Sequence, residues 1–238
     1  MQPQFLSSSQ ARRLHKAARP YKNRVKFGPR WNHRTEDDLW RTVLSQIIVV
    51  GNAAPGERLQ RDPNMATQVA IRRLKKCRGD AALQKYLHEF LVGIAARYVS
   101  KKKGWKKDKK AKAAVCNFRA LMKAGGPRKF FKRVAALPTE KERIQFLSNR
   151  ETLQYYGKKG ARDTLIELGL AKECLALDAR ILGLLEKVGV EIKRGSLDRD
   201  YERIEGELIA KVAKPLGISG ARLDRVLFQY NNQIVGGI

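Results

Sequence analysis

The residues with the clearest chemical content lie in one stretch, Tyr155-Tyr156-Gly157-Lys158-Lys159-Gly160-Ala161-Arg162, followed by Asp178. An apolar helix end runs into a glycine-containing turn, and the small residue Ala161 opens a new helix. Glycine permits positive φ in such a turn. The free amides at the start of the new helix can then bind a phosphate without reading sequence. Gly157 and Gly160 are the expected turn formers, with Lys158 and Arg162 adding charge beside the phosphates. Asp178 stands at the head of the apolar run Ala179-Arg180-Ile181-Leu182. An acid there caps a helix by accepting its first amides, and a plain cap would account for it.

These residues need a scaffold, and 238 residues with 43% hydrophobic content can bury a real core. The 50 Lys and Arg outnumber 23 Asp and Glu, leaving a net charge of +27. Such uncompensated charge repels itself in a compact state, so a polyanionic partner is the natural counterpart. Cys77, Cys116 and Cys174 are odd in number and widely spaced, and His15, His33 and His88 are scattered. Neither set has the spacing of a disulfide framework, a zinc site or an iron–sulfur site, so no metal or cofactor is expected. The longest apolar run, Ile47-Ile48-Val49-Val50, is too short to span a bilayer, and the N-terminus has no apolar targeting core. The expected setting is intracellular, cytoplasm or nucleoid, without membrane attachment.

Helical periodicity runs through most of the chain, predicting an all-α protein. Residues 1–34 carry nine Lys and Arg and no acid, interleaved with Tyr21, Phe27 and Trp31, and read as a basic arm or solubilising tail. From Thr35 a capped helix begins, with Trp40, Val43, Leu44 and Ile47 at helical spacing. Further helices are expected near 64–78, 80–99, from Thr139, at 161–170, from Asp178, and at 199–214 and 220–233. Lys101–Lys112 reads as a solvated lysine-rich loop or frayed helix start, and only Val188–Ile192 could pass for a strand.

The hairpin and the aspartate together carry a family resemblance. Gly157-Lys158-Lys159-Gly160-Ala161, with Asp178 nineteen residues beyond Lys159, resembles the helix-hairpin-helix Gly/Pro-Asp DNA glycosylases. The lyase-competent branch of that superfamily has a G-x-K-x-A hairpin and a downstream aspartate. The resemblance implies two helical subdomains, with the motif at the cleft between them and the glycosylase domain spanning 35–238. It selects Lys159 over Lys158 as the nucleophile that would form a Schiff base, and makes Asp178 the carboxylate that stabilises the developing sugar cation. Tyr201–Glu205 and Leu223–Phe228 are similar to the C-terminal helices of archaeal-type 8-oxoguanine glycosylase/lyases, which implies base-pocket roles for Asp224 and Phe228. Gln46, on the helix after Thr35, looks like a pocket or wedge amide. The implied function is base-excision repair of an oxidised purine in double-stranded DNA by a monomer with apurinic-site lyase activity. A non-catalytic DNA binder and a ribosomal or RNA-associated protein are the alternatives. One departure stands out: the glycine usual two positions before Gly157 is Tyr155.

Overall fold

A computed structural model describes residues 4–192 and 194–238, and every regular element among them is helical. The segment 188–192, the one strand candidate, is a turn followed by irregular chain. Two compact units emerge, one from Arg30–Thr164 and one from Met1–Pro29 with Leu165–Ile238. We call them the mid-chain unit and the two-segment unit. No helix among the described residues is long and apolar enough to cross a membrane.

The mid-chain unit is organised on the Glu36–Ile48 helix, buried over most of its length from Leu39 onward. Thr35 and Asp38 start it with a reciprocal capping box: the Asp38 amide donates to Thr35 Oγ1 at 3.1 Å and the Thr35 amide to Asp38 Oδ2 at 3.0 Å. Trp40 is fully buried, donates from Nε1 to the Val69 carbonyl at 3.0 Å, and meets Phe118 edge-on with ring centroids 5.2 Å apart. At the other end Lys110 Nζ, buried, donates to the Ile48 and Val50 carbonyls at 3.0 and 2.8 Å. Burial pushes the Lys110 ammonium down to about 8, with Asp108 opposing the shift. So part of the lysine-rich segment is an internal helix cap. Its neighbour Asp108 caps the Lys109–Lys123 helix and meets His88 Nδ1 at 2.8 Å.

Two helices stop earlier than periodicity suggests. The 64–78 pattern divides into Pro63–Gln68 and Ile71–Leu74, with Asp37 Oδ1 accepting the Ile71 amide at 2.7 Å across the break. The 80–99 pattern ends as Gly79–Gly93, because Ala95 turns left-handed at φ 57° and the Ala96 amide bonds back to the Leu91 carbonyl. Pro55 and Gly56 lie in the next helix, Ala54–Arg61, where proline is tolerated in the first turn.

Residues 5–21 are docked in the two-segment unit, where an arm or tail was expected. Ser8–Ala18 is a helix with a Ser7/Gln10 capping box, and its Ala11, Leu14, Ala17 and Ala18 are buried. They join a core with Leu177, Ile181, Ile204, Leu223 and Val226. Glu207 accepts the Phe5 and Leu6 amides at 3.0 and 2.9 Å, and Tyr21 stacks on Tyr230 with centroids 4.7 Å apart. The arginines and lysines occupy the outward face of an amphipathic helix, so high charge concealed a core-forming element. Leu14→Ala is expected to cost about 2–5 kcal/mol of stability in a urea transition. A loss below about 0.5 kcal/mol would mean that the helix does not dock.

Candidate active site

The turn between the Glu140–Ser148 and Lys158–Glu167 helices is built by residues 149–157. Leu153 and Tyr156 anchor it by burial. Asn117, buried on the Lys109–Lys123 helix, clamps it from below: its Nδ2 donates to the Gln154 carbonyl at 2.9 Å and its Oδ1 accepts the Gln154 amide at 2.6 Å. The left-handed residue is Tyr155, at φ 62° and 40% exposed. Hence Tyr155 adopts the conformation for which glycine is favoured, and the turn closes without the glycine.

This corrects the expected role of the two glycines. Neither Gly157 nor Gly160 is left-handed. The Gly157 carbonyl accepts the Ala161 amide at 3.0 Å, and Gly160 lies within the first turn of the Lys158–Glu167 helix. A Cβ on Gly157 would meet nothing within 4 Å, whereas one on Gly160 would sit 3.6 Å from Gln46 Oε1. Internal packing therefore does not demand glycine at 157. Its absent side chain instead leaves the backbone bare at a helix start, where first-turn amides lack intrahelical acceptors.

Lys159 lies in that first turn. Its Nζ donates to Asp163 Oδ2 at 3.0 Å, one helical turn on, and its side chain is one-third exposed. Gln46, buried on the Glu36–Ile48 helix, donates from Nε2 to the same Asp163 oxygen, also at 3.0 Å. The structure thus brings Gln46 and Lys159 together through Asp163, a residue not singled out from the sequence. The acid four positions after Lys159 was the available signal, since such pairs face each other on a helix. Lys158 is half-buried. Arg162, expected beside phosphates, is 3% exposed, with Nη1 3.3 Å from the Lys158 carbonyl. It braces the first helical turn from inside.

In the two-segment unit, Asp178 is the N-cap of the Ala179–Lys187 helix. Its Oδ1 accepts the Arg180 and Ile181 amides at 3.0 and 2.9 Å. The preceding residues, Cys174 to Leu177, are buried and non-helical. Three side chains hold three successive amides there. Leu175 donates to Glu205 Oε1 at 2.8 Å, Ala176 to Asp224 Oδ1 at 2.7 Å, and Leu177 to Tyr201 Oη at 2.7 Å. The Tyr201 hydroxyl in turn donates to the Leu175 carbonyl at 3.1 Å. Gly220 allows this approach, since a Cβ there would lie 3.1 Å from the Cys174 nitrogen.

Asp224 is therefore placed differently from the base-pocket expectation: it is 2% exposed, and its carboxylate supports backbone. Phe228 is half-buried, with the Arg180 guanidinium 4.3 Å from its ring centroid. Tyr98, in the mid-chain unit, was also not singled out. It is 66% exposed, left-handed at φ 67°, and has the Arg97 guanidinium 5.1 Å from its ring centroid. A Cβ on Gly51 would lie 2.5 Å from the Tyr98 ring, so that glycine makes room for it.

No protein-family model matches the chain, and no curated protein matches it. Solved structures do. The fold is similar to an 8-oxoguanine DNA glycosylase from Methanocaldococcus jannaschii, with a TM-score of 0.63, 18% identity, and coverage of 91% of this chain and 92% of that one. The glycosylase/lyase from the same organism, bound to a 15mer DNA containing 8-oxoguanine, aligns at a TM-score of 0.61 and 16% identity, covering 92% and 89%. The 8-oxoguanine DNA glycosylase of Thermotoga maritima aligns at 0.60 and 20% identity, covering 94% of each chain. At these identities the likeness establishes a shared fold over nearly the whole chain.

Tyr155 holds a backbone conformation that costs an L-residue about 1–2 kcal/mol, against about 0.5–1 kcal/mol of extra entropy for glycine. Tyr155→Gly is accordingly expected to stabilise the protein by about 0.5–1 kcal/mol, raising the urea midpoint at unchanged slope. A lowered midpoint would show that the exposed ring contributes more than the backbone conformation costs.

Proposed function

We propose that the chain is a DNA glycosylase with apurinic-site lyase activity, acting as a monomer on an oxidised purine in double-stranded DNA, with 8-oxoguanine the preferred lesion. The observation that carries this reading is the placement of Lys159: a part-exposed amine in the first turn of a helix, beside the bare backbone of Gly157 and oriented by Asp163. The fold shared with three solved 8-oxoguanine DNA glycosylase structures supports it. So does the charge of +27, which suits a phosphate backbone.

The chemistry follows from those groups. A target base leaves the stack before it can be attacked. The Lys159 ammonium gives up a proton to solvent, and the neutral amine attacks C1′ of the deoxyribose. The C1′–N9 bond breaks, its electron pair leaves with the purine, and the purine takes a proton. Positive charge builds on the sugar during this step. The Asp178 carboxylate, fixed through Oδ1 by two helix-start amides, stabilises that charge. The aminal opens to a Schiff base on Lys159. Loss of a C2′ proton then expels the 3′ phosphate, cutting the strand. Lys158 and the first-turn amides hold a phosphate without reading sequence.

Borohydride reduction traps the Schiff base and provides the test. Wild type is expected to yield a covalent adduct on a duplex containing 8-oxoguanine, and Lys159→Gln none. Asp178→Asn should slow trapping about 100-fold or more while keeping duplex affinity. Absence of an adduct across a panel of single-lesion duplexes would sink the lyase reading. If Lys159→Ala lowers only affinity, a DNA-binding role without chemistry remains. If structured RNA outcompetes damaged duplex, the partner is RNA.

A further inference from the structure

Residues Cys174 to Leu177 pose a physical problem that a stability argument alone does not answer. They are between 0 and 3% exposed and lie in no helix. Every buried amide needs an acceptor, and here the acceptors for three in a row come from side chains on two other helices, Leu197–Leu208 and Gly220–Gln229. Two of those side chains are carboxyls, Glu205 and Asp224, at 7 and 2% exposure. Burying carboxyls is costly unless they are well bonded.

A helical arrangement is also compatible with the local sequence. Ala171-Lys172-Glu173-Cys174-Leu175-Ala176-Leu177 is rich in strong helix formers. Extending the Ala179–Lys187 helix backward through it would satisfy the same amides internally. That extension would also put Asp178 in mid-helix, where its carboxylate could no longer accept the Arg180 and Ile181 amides. Holding the segment out of a helix makes Asp178 a helix start.

From this we infer that Tyr201, Glu205 and Asp224 are positioning residues for Asp178, keeping residues 175–177 out of a helix so that its carboxylate stays on the helix-start amides and aimed in one direction. The inference rests on the catalytic reading of Asp178 given above. It replaces the base-pocket role implied for Asp224 by one exerted through the backbone. Reaction rates are sensitive to displacements of about 1 Å in such groups, so loss of one clamp should tell in the chemical step more than in binding.

The test is single-turnover borohydride trapping with saturating enzyme on an 8-oxoguanine duplex, alongside separate measurement of duplex affinity and a urea transition for each variant. Tyr201→Phe, which removes one oxygen, and Asp224→Ala are expected to slow trapping about 10- to 100-fold, with affinity within about twofold of wild type. Asp224→Asn keeps an oxygen that can accept the Ala176 amide and should restore most of the lost rate. Should either Tyr201→Phe or Asp224→Ala fail to fold, the other decides alone. Trapping at the wild-type rate by a folded clamp variant, with Asp178→Asn strongly slowed, overturns the inference and leaves Asp178 catalytic. Wild-type trapping by Asp178→Asn overturns the catalytic reading itself, and the inference with it.

Discussion

Backbone amides that leave a helix and remain buried need an acceptor, and at several irregular segments the chain finds it in side chains. The same solution recurs along the chain. Asn117 clamps Gln154 under the turn before Lys158, while Asp37 takes the Ile71 amide between two short helices. Glu207 takes the amides of Phe5 and Leu6. Glu205, Asp224 and Tyr201 take three more ahead of Asp178. The carbonyl side has its counterpart in Lys110, which closes the end of the Glu36–Ile48 helix. Loops tied down in this way let side chains at helix starts hold a fixed direction.

The same economy governs the acids. With 23 Asp and Glu against 50 Lys and Arg, a randomly placed acid would simply neutralise a neighbouring cation at the surface, for little gain. Many of them instead have structural assignments. Asp62, Asp108 and Asp178 accept helix-start amides, and Asp38 accepts the amide of Thr35, the residue that caps its helix. Asp163 joins Lys159 to Gln46, and Glu205 and Asp224 are buried. The positive excess is left largely to the exterior, where a polyanion would meet it.

What the sequence revealed, and what it concealed, divides by range. Thr35, Thr139 and Asp178 could be read as caps because the partner amides lie two or three residues away. The hairpin was legible because its residues are contiguous. Asn117 and Glu205 were not, since nothing near either one in the chain points to an amide 37 or 30 residues away. Asp163 lay within local reach of Lys159, but its bond to Gln46 spans 117 positions. In residues 8–18, charge outweighed pattern: Ala11, Leu14 and Ala18 keep a helical stripe among basic neighbours. Tyr155 illustrates a further limit, because residue type alone does not report a backbone angle that the surroundings enforce.

The Ser8–Ala18 helix has its core partners in the last third of the chain, with all of Arg30–Thr164 made in between. On the ribosome, the mid-chain unit is complete before the two-segment unit has the residues it needs. Leu14 and its neighbours therefore wait with an apolar stripe uncovered, a state that attracts chaperones or mispairing. Closing so long a loop also slows folding, because its entropy is lost before distant contacts compensate. Arg12, Arg13 and Lys16, exposed on the other face of that helix, set like charge beside the stripe and so oppose its self-association until the C-terminal helices arrive.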